Sequence, residues 1–575
     1  MNFKDKYNKW LNLNIIDEIT KKELLSIDDQ NEIEDRFYKD LEFGTGGLRG
    51  IIGAGSNRLN IYTVGKATEG LARYLVSRYK DNISVSIAYD SRNMSPEFAE
   101  CAALVLCAND IKVNLFESLR PTPELSFAVR ELKSNAGIVL TASHNPKQYN
   151  GYKVYGDDGC QITDEAANAI ISEINSVDYI DIKKISREEA VKKSLLNIIG
   201  KEIDRKYIDT LKSYTIRKEL VEKYAKNLSI IYTPIHGTGL MPIKRILTEL
   251  GYEKLHIVKE QETPDGNFPT APYPNPEDPS VFKLALNMAK DINPDIIFGT
   301  DPDADRIGVV VKNSNGEYKI LSGNQIGVLL THYILESYKS EDKLPSNGAI
   351  IKTIVTTEMV RDICKDYNIE LFDVLTGFKY IGETIGNFEK NNSNEFIFGF
   401  EESYGCLFGS HARDKDAVVT AQMICEMTLY YKNKGLTLYE GFINLCDKYG
   451  YYKEKLISIE LKGKEGQEKI SNCLDYLRKN EIKEVNGVKV ERIFDYKLSQ
   501  SKTPSNNETN VLKLPKSNVL KYVLTDGSWF VIRPSGTEPK MKIYEAVIGN
   551  SLEDSEIKID KFDKVIMNKI NKILN

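Results

Sequence analysis

Short β-branched runs, each ending in a loop of small polar residues, recur along the chain. They are VSIAYDSRN (85–93), GIVLTASHNP (137–146), LSIIYTPIHGTG (228–239), DIIFGTDPDADR (295–306), EFIFGFEESYG (395–405) and WFVIRPSGTEP (529–539). Apolar runs of this length, bounded by turn formers, predict buried strands. Between them the apolar spacing is helical, in SPEFAECAALVLCAND (95–110), QIGVLLTHYILESYKS (325–340) and DAVVTAQMICEMTLYYKNKG (416–435). Strand and helix alternate, which predicts mostly parallel sheets covered by helices. Ligands of such sheets bind beyond the carboxyl ends of the strands, and the unusual residues of this chain fall there.

A chain of 575 residues is too long for one core. The pattern predicts an α/β protein of three similar mixed α/β domains, 1–215, 216–322 and 323–455, followed by a smaller α+β domain, 456–575. Residues 186–214 read as a charged helical connector, 314–327 and 449–456 as junctions, and 499–510 as a flexible excursion.

Composition narrows the function. A net charge of −6 spread over this length argues against a general nucleic-acid or membrane binder, while leaving room for a local basic cleft. No uninterrupted apolar stretch reaches bilayer-spanning length, and the first residues lack the apolar core of a leader, so a cytoplasmic protein is expected. None of the eight cysteines has CxxC spacing, which predicts reduced thiols rather than a zinc or dithiol site.

Four loops hold candidate chemistry. Asp301, Asp303 and Asp305 alternate after an apolar strand. Their mutual repulsion is offset by a divalent cation, and oxygen donors suit Mg²⁺ or Ca²⁺. An EF-hand is excluded by Arg306 and Lys312 at its glycine and glutamate positions; a solvated acidic turn is the alternative. In TASHNP, Ser143 and His144 suggest either a hydrolase or a phosphoserine facing the metal, against a plain serine turn closed by Asn145 and Pro146. The hydrolase motif G-x-S-x-G is absent. RPSGTEPK puts a guanidinium, two hydroxyls and close-approaching backbone in one loop, a phosphate cradle without the spacing of a nucleotide-hydrolysis loop. GFEESYG offers Glu401 and Glu402 to vicinal hydroxyls, as sugar recognition requires; an exposed acidic turn is the alternative. Lys379, in an otherwise apolar loop, is a candidate general base. His144, His236 and His411 also lie in these loops, where each is more simply a structural histidine.

Taken in order, FGTGGLRG (43–50), TASHNPKQYNGYK (141–153), GTDPDADR (299–306), GFEES (399–403) and RPSGTEP (533–539) resemble the α-D-phosphohexomutase family across nearly the whole chain. The resemblance implies four domains around a central cleft. It implies that Ser143 is a phosphoserine and that Asp301, Asp303 and Asp305, with Ser143, hold one Mg²⁺. Glu401, Glu402 and Ser403 would read sugar hydroxyls. Arg533, Ser535, Gly536 and Thr537 would clamp the non-reacting phosphate. Lys379 would be the general base with His144 as its neighbour, Arg49, Arg306 and Lys153 would line the cleft, and Arg413 would be a further substrate contact. The sugar loop differs from the GEMSG or GEQSG of relatives preferring mannose or glucosamine phosphates, which favours glucose. The implied activity is an intramolecular phosphotransfer between glucose 1-phosphate and glucose 6-phosphate, primed by glucose 1,6-bisphosphate. Its partners would be small sugar phosphates, with no nucleic acid or membrane, and the enzyme a monomer or homodimer. Pentose or mannose phosphates, a sugar-phosphate phosphatase and a non-catalytic sensor are the alternatives.

Overall fold

In the computed structural model, which describes residues 2–44, 46–461, 463–535 and 540–574, the apolar runs become strands. The chain divides into two units, Met1–Ala349 with Phe378–Tyr439 and Ile350–Gly377 with Glu440–Asn575. The first unit holds two sheets of one plan. Strands β1 (Gly47–Ile51), β2 (Ser84–Tyr89), β3 (Lys112–Phe116), β4 (Ala136–Leu140), β5 (Tyr149–Tyr155) and β6 (Leu196–Ile199) form the first, in the order β1-β5-β4-β2-β3-β6. Strands β7 (Ser229–Thr233), β8 (Lys254–Ile257), β9 (Ile296–Thr300), β10 (Ile307–Lys312) and β11 (Tyr318–Leu321) form the second, in the order β11-β10-β9-β7-β8. Every residue of β4 and β9 is buried, as expected of strands covered on both faces.

Each sheet changes from parallel to antiparallel pairing at the same place. β4 is parallel to β2 but antiparallel to β5, and β9 is parallel to β7 but antiparallel to β10. The loops after β4 and β9 therefore occupy equivalent positions, and they carry Ser143 and the three aspartates. The antiparallel pair Glu395–Phe400 and Cys406–Phe408 repeats this arrangement around residues 401–405.

Helices form where the apolar spacing predicts them. Ala417–Asn433 begins on Asp416, whose Oδ1 accepts the N–H groups of Val418 and Val419, a side-chain cap of the usual kind. Its interior is buried on all sides, including Glu426. The Glu426 carboxylate accepts the N–H groups of Ile216 and Arg217 and the Tyr333 hydroxyl. Burial outweighs these bonds and raises its pKa from 4.5 to about 7.

Two sequence expectations are corrected. The charged connector 186–214 is not continuous helix: between Arg187–Lys192 and Lys201–Ser213 it contributes β6, paired in parallel with β3. Residues 499–510 contain a hairpin, Gln500–Thr503 with Glu508–Val511, turning through Asn507 at φ 56°. All four residues of its outer strand are exposed, so the backbone ladder forms without an apolar face to announce it.

The second unit centres on an eight-stranded antiparallel sheet. Helices Gly463–Lys479 and Leu552–Leu574 pack Ile470, Leu474, Ile559, Phe562 and Ile566 against Tyr522, Phe530 and Ile543 of that sheet. Segment 350–377 is tied in by ion pairs of buried Lys352 with Glu358 (3.0 Å) and Asp373 (2.7 Å), and by Lys521 donating to the Ile354 carbonyl. The eight cysteines are all free. Among the described residues no helix is long and apolar enough to cross a membrane.

Candidate active site

The backbone after β4 is fixed before any chemistry begins. Ser143 lies in the left-handed region at φ 51°, where a non-glycine residue needs support from its surroundings. Its N–H donates to Thr141 Oγ1 (2.8 Å), and the Thr141 hydroxyl donates to Asp90 Oδ2 (2.6 Å). The buried Arg92 guanidinium donates to four carbonyls of one loop: Ser143, Asn145, Pro146 (3.0 Å) and Tyr149 (3.1 Å). Asp90, 3.4 Å from Arg92, balances its charge. Sequence reasoning recognised the strand that delivers Asp90 and Arg92 but not the pair itself. The available signal was two opposite charges just past a largely buried strand.

Held this way, Ser143 Oγ donates to Asp301 Oδ2 at 2.7 Å and lies 3.1 Å from His144 Nδ1. Loss of solvent, with the positive charges of Arg306 and Arg49 nearby, pushes His144 well below the usual imidazole pKa. The ring is therefore neutral near pH 7, with one nitrogen able to accept a proton.

Asp301, Asp303 and Asp305 are buried, and each can present one oxygen within 4.8 Å of the others. The turn is tight: Ala304 has φ 50°, and Asp301 Oδ1 accepts the N–H groups of Asp305 (3.1 Å) and Arg306 (3.0 Å). Asp303 Oδ2 receives Lys153 Nζ (2.9 Å) and the Thr122 hydroxyl (2.8 Å). Asp305 Oδ2 receives Lys415 Nζ at 3.0 Å. Burial and the charges of its two neighbours push Asp301 well above the ordinary carboxylate range, and burial with Asp303 beside it raises Asp305. Burial acts the same way on Asp303, but Lys153, hydrogen bonds and Thr122 outweigh it and hold that carboxyl below the range.

The second oxygens of Asp303 and Asp305 are buried without a hydrogen-bond partner. A buried carboxylate oxygen without a partner is costly, and a hard divalent cation with oxygen ligands relieves that cost. The residues present thus fit a Mg²⁺-type ion. Among the described residues this is the only such cluster of potential metal ligands.

Cations and the sugar loop complete the surroundings. Lys153 faces the aspartates from β5, and Arg49 on β1 reaches Asn145 Oδ1 at 3.3 Å. Arg306 pairs with Glu277 at 2.8 Å and lies 3.8 Å from Asp305. Loop 401–405 adjoins the aspartate turn: Arg306 bridges to Gly405, and Ile307 N–H donates to the Tyr404 carbonyl (3.2 Å). Buried Glu401 is among the charges that raise the pKa of Arg306 and Lys415. Glu402 and Ser403 lie in the same turn. The Glu402 carbonyl passes so close to Gly323 that a Cβ there would meet it at 2.1 Å.

Two expected residues are placed elsewhere. Lys379 pairs with Asp164 at 2.9 Å, not with His144. Arg413 is fully buried and is bound to Glu389 and to the carbonyls of Ser410 and Ala412. A second lysine besides Lys153 reaches the aspartates: Lys415, two residues on. Its side chain runs over Gly405, where a Cβ would meet Lys415 Cδ at 2.1 Å. His236 is a structural histidine, with both ring nitrogens within 3.0 Å of Thr263 O and Thr270 Oγ1. In the second unit, half-buried Arg533 is the next-to-last residue of its strand and Ser535 N–H donates to the Lys540 carbonyl (2.7 Å). Gly536 and Thr537 lie outside the described residues.

Comparison with known proteins covers the same ground. Domains I, II and III (α/β/α) and the C-terminal domain of phosphoglucomutase/phosphomannomutase match residues 40–181, 205–316, 322–449 and 476–546. A phosphoglucomutase of Staphylococcus epidermidis is 35% identical over 568 residues, covering 98% of each chain. Parafusin, a phosphoglucomutase from Paramecium solved in an open form, matches with a TM-score of 0.68 at 18% identity, over 93% of this chain and 96% of its own. A phosphoglucomutase/phosphomannomutase family protein from Burkholderia thailandensis matches with a TM-score of 0.66 at 17% identity, over 92% and 97%.

Proposed function

The chain belongs to the phosphoglucomutase/phosphomannomutase family, and we propose that it interconverts glucose 1-phosphate and glucose 6-phosphate through a phosphoserine at Ser143. The observation that carries this reading is the 2.7 Å contact of Ser143 Oγ with Asp301, made by a loop whose backbone is pinned for it. The three aspartates and the Ser143 phosphoryl group would hold Mg²⁺, which when bound polarises the phosphorus–oxygen bond and offsets charge on the transferring group.

The residues of this chain do the rest. The Ser143 O–P bond breaks as a bond forms from phosphorus to the free hydroxyl of the sugar phosphate. Neutral His144 would take the proton that this hydroxyl loses and, 3.1 Å from Ser143 Oγ, return it to the departing serine oxygen, which leaves as a hydroxyl. Lys153, Arg306 and Lys415 balance the phosphoryl charge, and Glu401 accepts from sugar hydroxyls. The product is glucose 1,6-bisphosphate. It turns over and returns its other phosphoryl group to Ser143, so the same bisphosphate serves as primer for unphosphorylated enzyme. Arg533, Ser535, Gly536 and Thr537 are proposed as phosphate-binding on the chemistry of their guanidinium and hydroxyl groups. The EES sequence of the sugar loop and the relatives named phosphoglucomutase support glucose over mannose.

Rates with glucose 1-phosphate, mannose 1-phosphate and ribose 1-phosphate, each with and without glucose 1,6-bisphosphate, test the proposal. Glucose 1-phosphate should be fastest and primer-dependent, with little inorganic phosphate released. Full conversion by Ser143→Ala, or phosphate as the main product, would overturn it.

A further inference from the structure

Lys415 owes its place to residues that touch no substrate. It sits between two aspartates, and both are anchored from outside their own loop. Asp414 Oδ1 accepts Lys415 Nζ (3.0 Å) and Lys415 N–H (2.8 Å), while its Oδ2 accepts the Tyr155 hydroxyl at 2.7 Å. On the other side, Asp416 Oδ2 accepts the Tyr207 hydroxyl (2.8 Å) and lies 2.7 Å from His411 Nε2. The Lys415 ammonium thus bridges Asp414 and Asp305.

Tyr155 is wholly buried on β5, two residues from Lys153 and so on the same strand face. One strand therefore serves the aspartate cluster twice. Lys153 reaches Asp303 directly, and Tyr155 reaches Asp305 through Asp414 and Lys415. A free lysine side chain samples many rotamers. Here the carboxylate of Asp414, aimed by Tyr155, and the gap over Gly405 leave it one path.

We propose that Tyr155 is a positioning residue, whose hydroxyl aims Asp414 so that Lys415 is held against Asp305. The proposal rests on the mutase reading above. Burial, with Asp414 alongside, pushes the Tyr155 hydroxyl well above its ordinary pKa, so it remains a donor throughout the working range.

The test compares Tyr155→Phe with Tyr152→Phe in the full-length enzyme. Tyr152 is equally buried on the same strand and accepts one hydroxyl bond, from Thr68 Oγ1 at 3.1 Å. Tyr155→Phe should lower kcat by about 10- to 100-fold, the scale of a small misplacement at a reacting centre, with KM for glucose 1-phosphate changed less than about twofold. Tyr152→Phe should leave both within about twofold. Asp414→Asn combined with Tyr155→Phe should cost no more than the worse single change, since they break one chain of contacts. In metal-free protein, reductive methylation of Lys415, followed by peptide mass spectrometry, should quicken in Tyr155→Phe alone. Equal kcat values for the two tyrosine variants, or equal labelling of Lys415, would overturn the positioning role while leaving the mutase reading intact. A wild-type enzyme without mutase turnover would overturn both.

Discussion

Replacing Glu426 with glutamine tests the electrostatics of the first unit without touching the aspartate site. The Glu426 carboxyl is raised from 4.5 to about 7, chiefly by burial. The folded protein therefore binds this proton more tightly than the unfolded chain does. Its contribution to stability is complete below about pH 4.5 and is lost as pH rises through about 7. At roughly 1.4 kcal/mol per tenfold change, the full span is worth about 3 kcal/mol. Glutamine keeps an acceptor for the N–H groups of Ile216 and Arg217 but has no proton to lose. Denaturant-unfolding midpoints of wild type and Glu426→Gln, measured from about pH 5 to pH 8, should diverge. The wild type should lose about 2 to 3 kcal/mol relative to the variant over that interval. Parallel curves would refute the assignment of a raised carboxyl to Glu426.

Two further changes probe the site. Arg92→Lys replaces a fork serving four carbonyls with a single ammonium; it should lower the thermal midpoint by several degrees and kcat by about tenfold or more, and an unchanged midpoint would mean the loop does not depend on that guanidinium. Asp303→Asn removes one of three aligned carboxylates; Mg²⁺ binding by calorimetry should weaken and turnover should fall at least about 100-fold, and retention of both would contradict the metal assignment.

The loops of this molecule could be read from sequence because each is a rare cluster at the end of an apolar run. Ser143, Asp301, Asp303 and Asp305 stood out for that reason, and the structure bonds Ser143 to Asp301 and gathers oxygens of the three aspartates within 4.8 Å of one another. Arg92 and Lys415 did not, because their roles depend on distant partners. Arg92 acts on carbonyls some 50 residues away in the chain, and Lys415 depends on Gly405 lacking a side chain. The partner of Lys379 was hidden for the complementary reason: Asp164 lies 215 residues away and nothing local announces it. Strand β6 escaped notice because four residues, Leu-Asn-Ile-Ile, are too few for a period-two signal, and the 500–511 hairpin because its outer strand is exposed and mostly polar. Glu426 sits in a helix that is apolar all round, where one carboxylate gives no hint that it caps the chain segment at 216–217.

The left-handed backbone at Ser143 bears on why this position is a serine and not a threonine. Both side chains offer a hydroxyl that can carry a phosphoryl group. At φ 51°, however, a β-branched residue crowds its own backbone in a way serine does not. The Arg92 fork leaves the main chain little freedom to escape that crowding. The torsion angle, set by a guanidinium more than 50 residues earlier in the chain, thus restricts which hydroxyl amino acid fits where the phosphoserine is proposed.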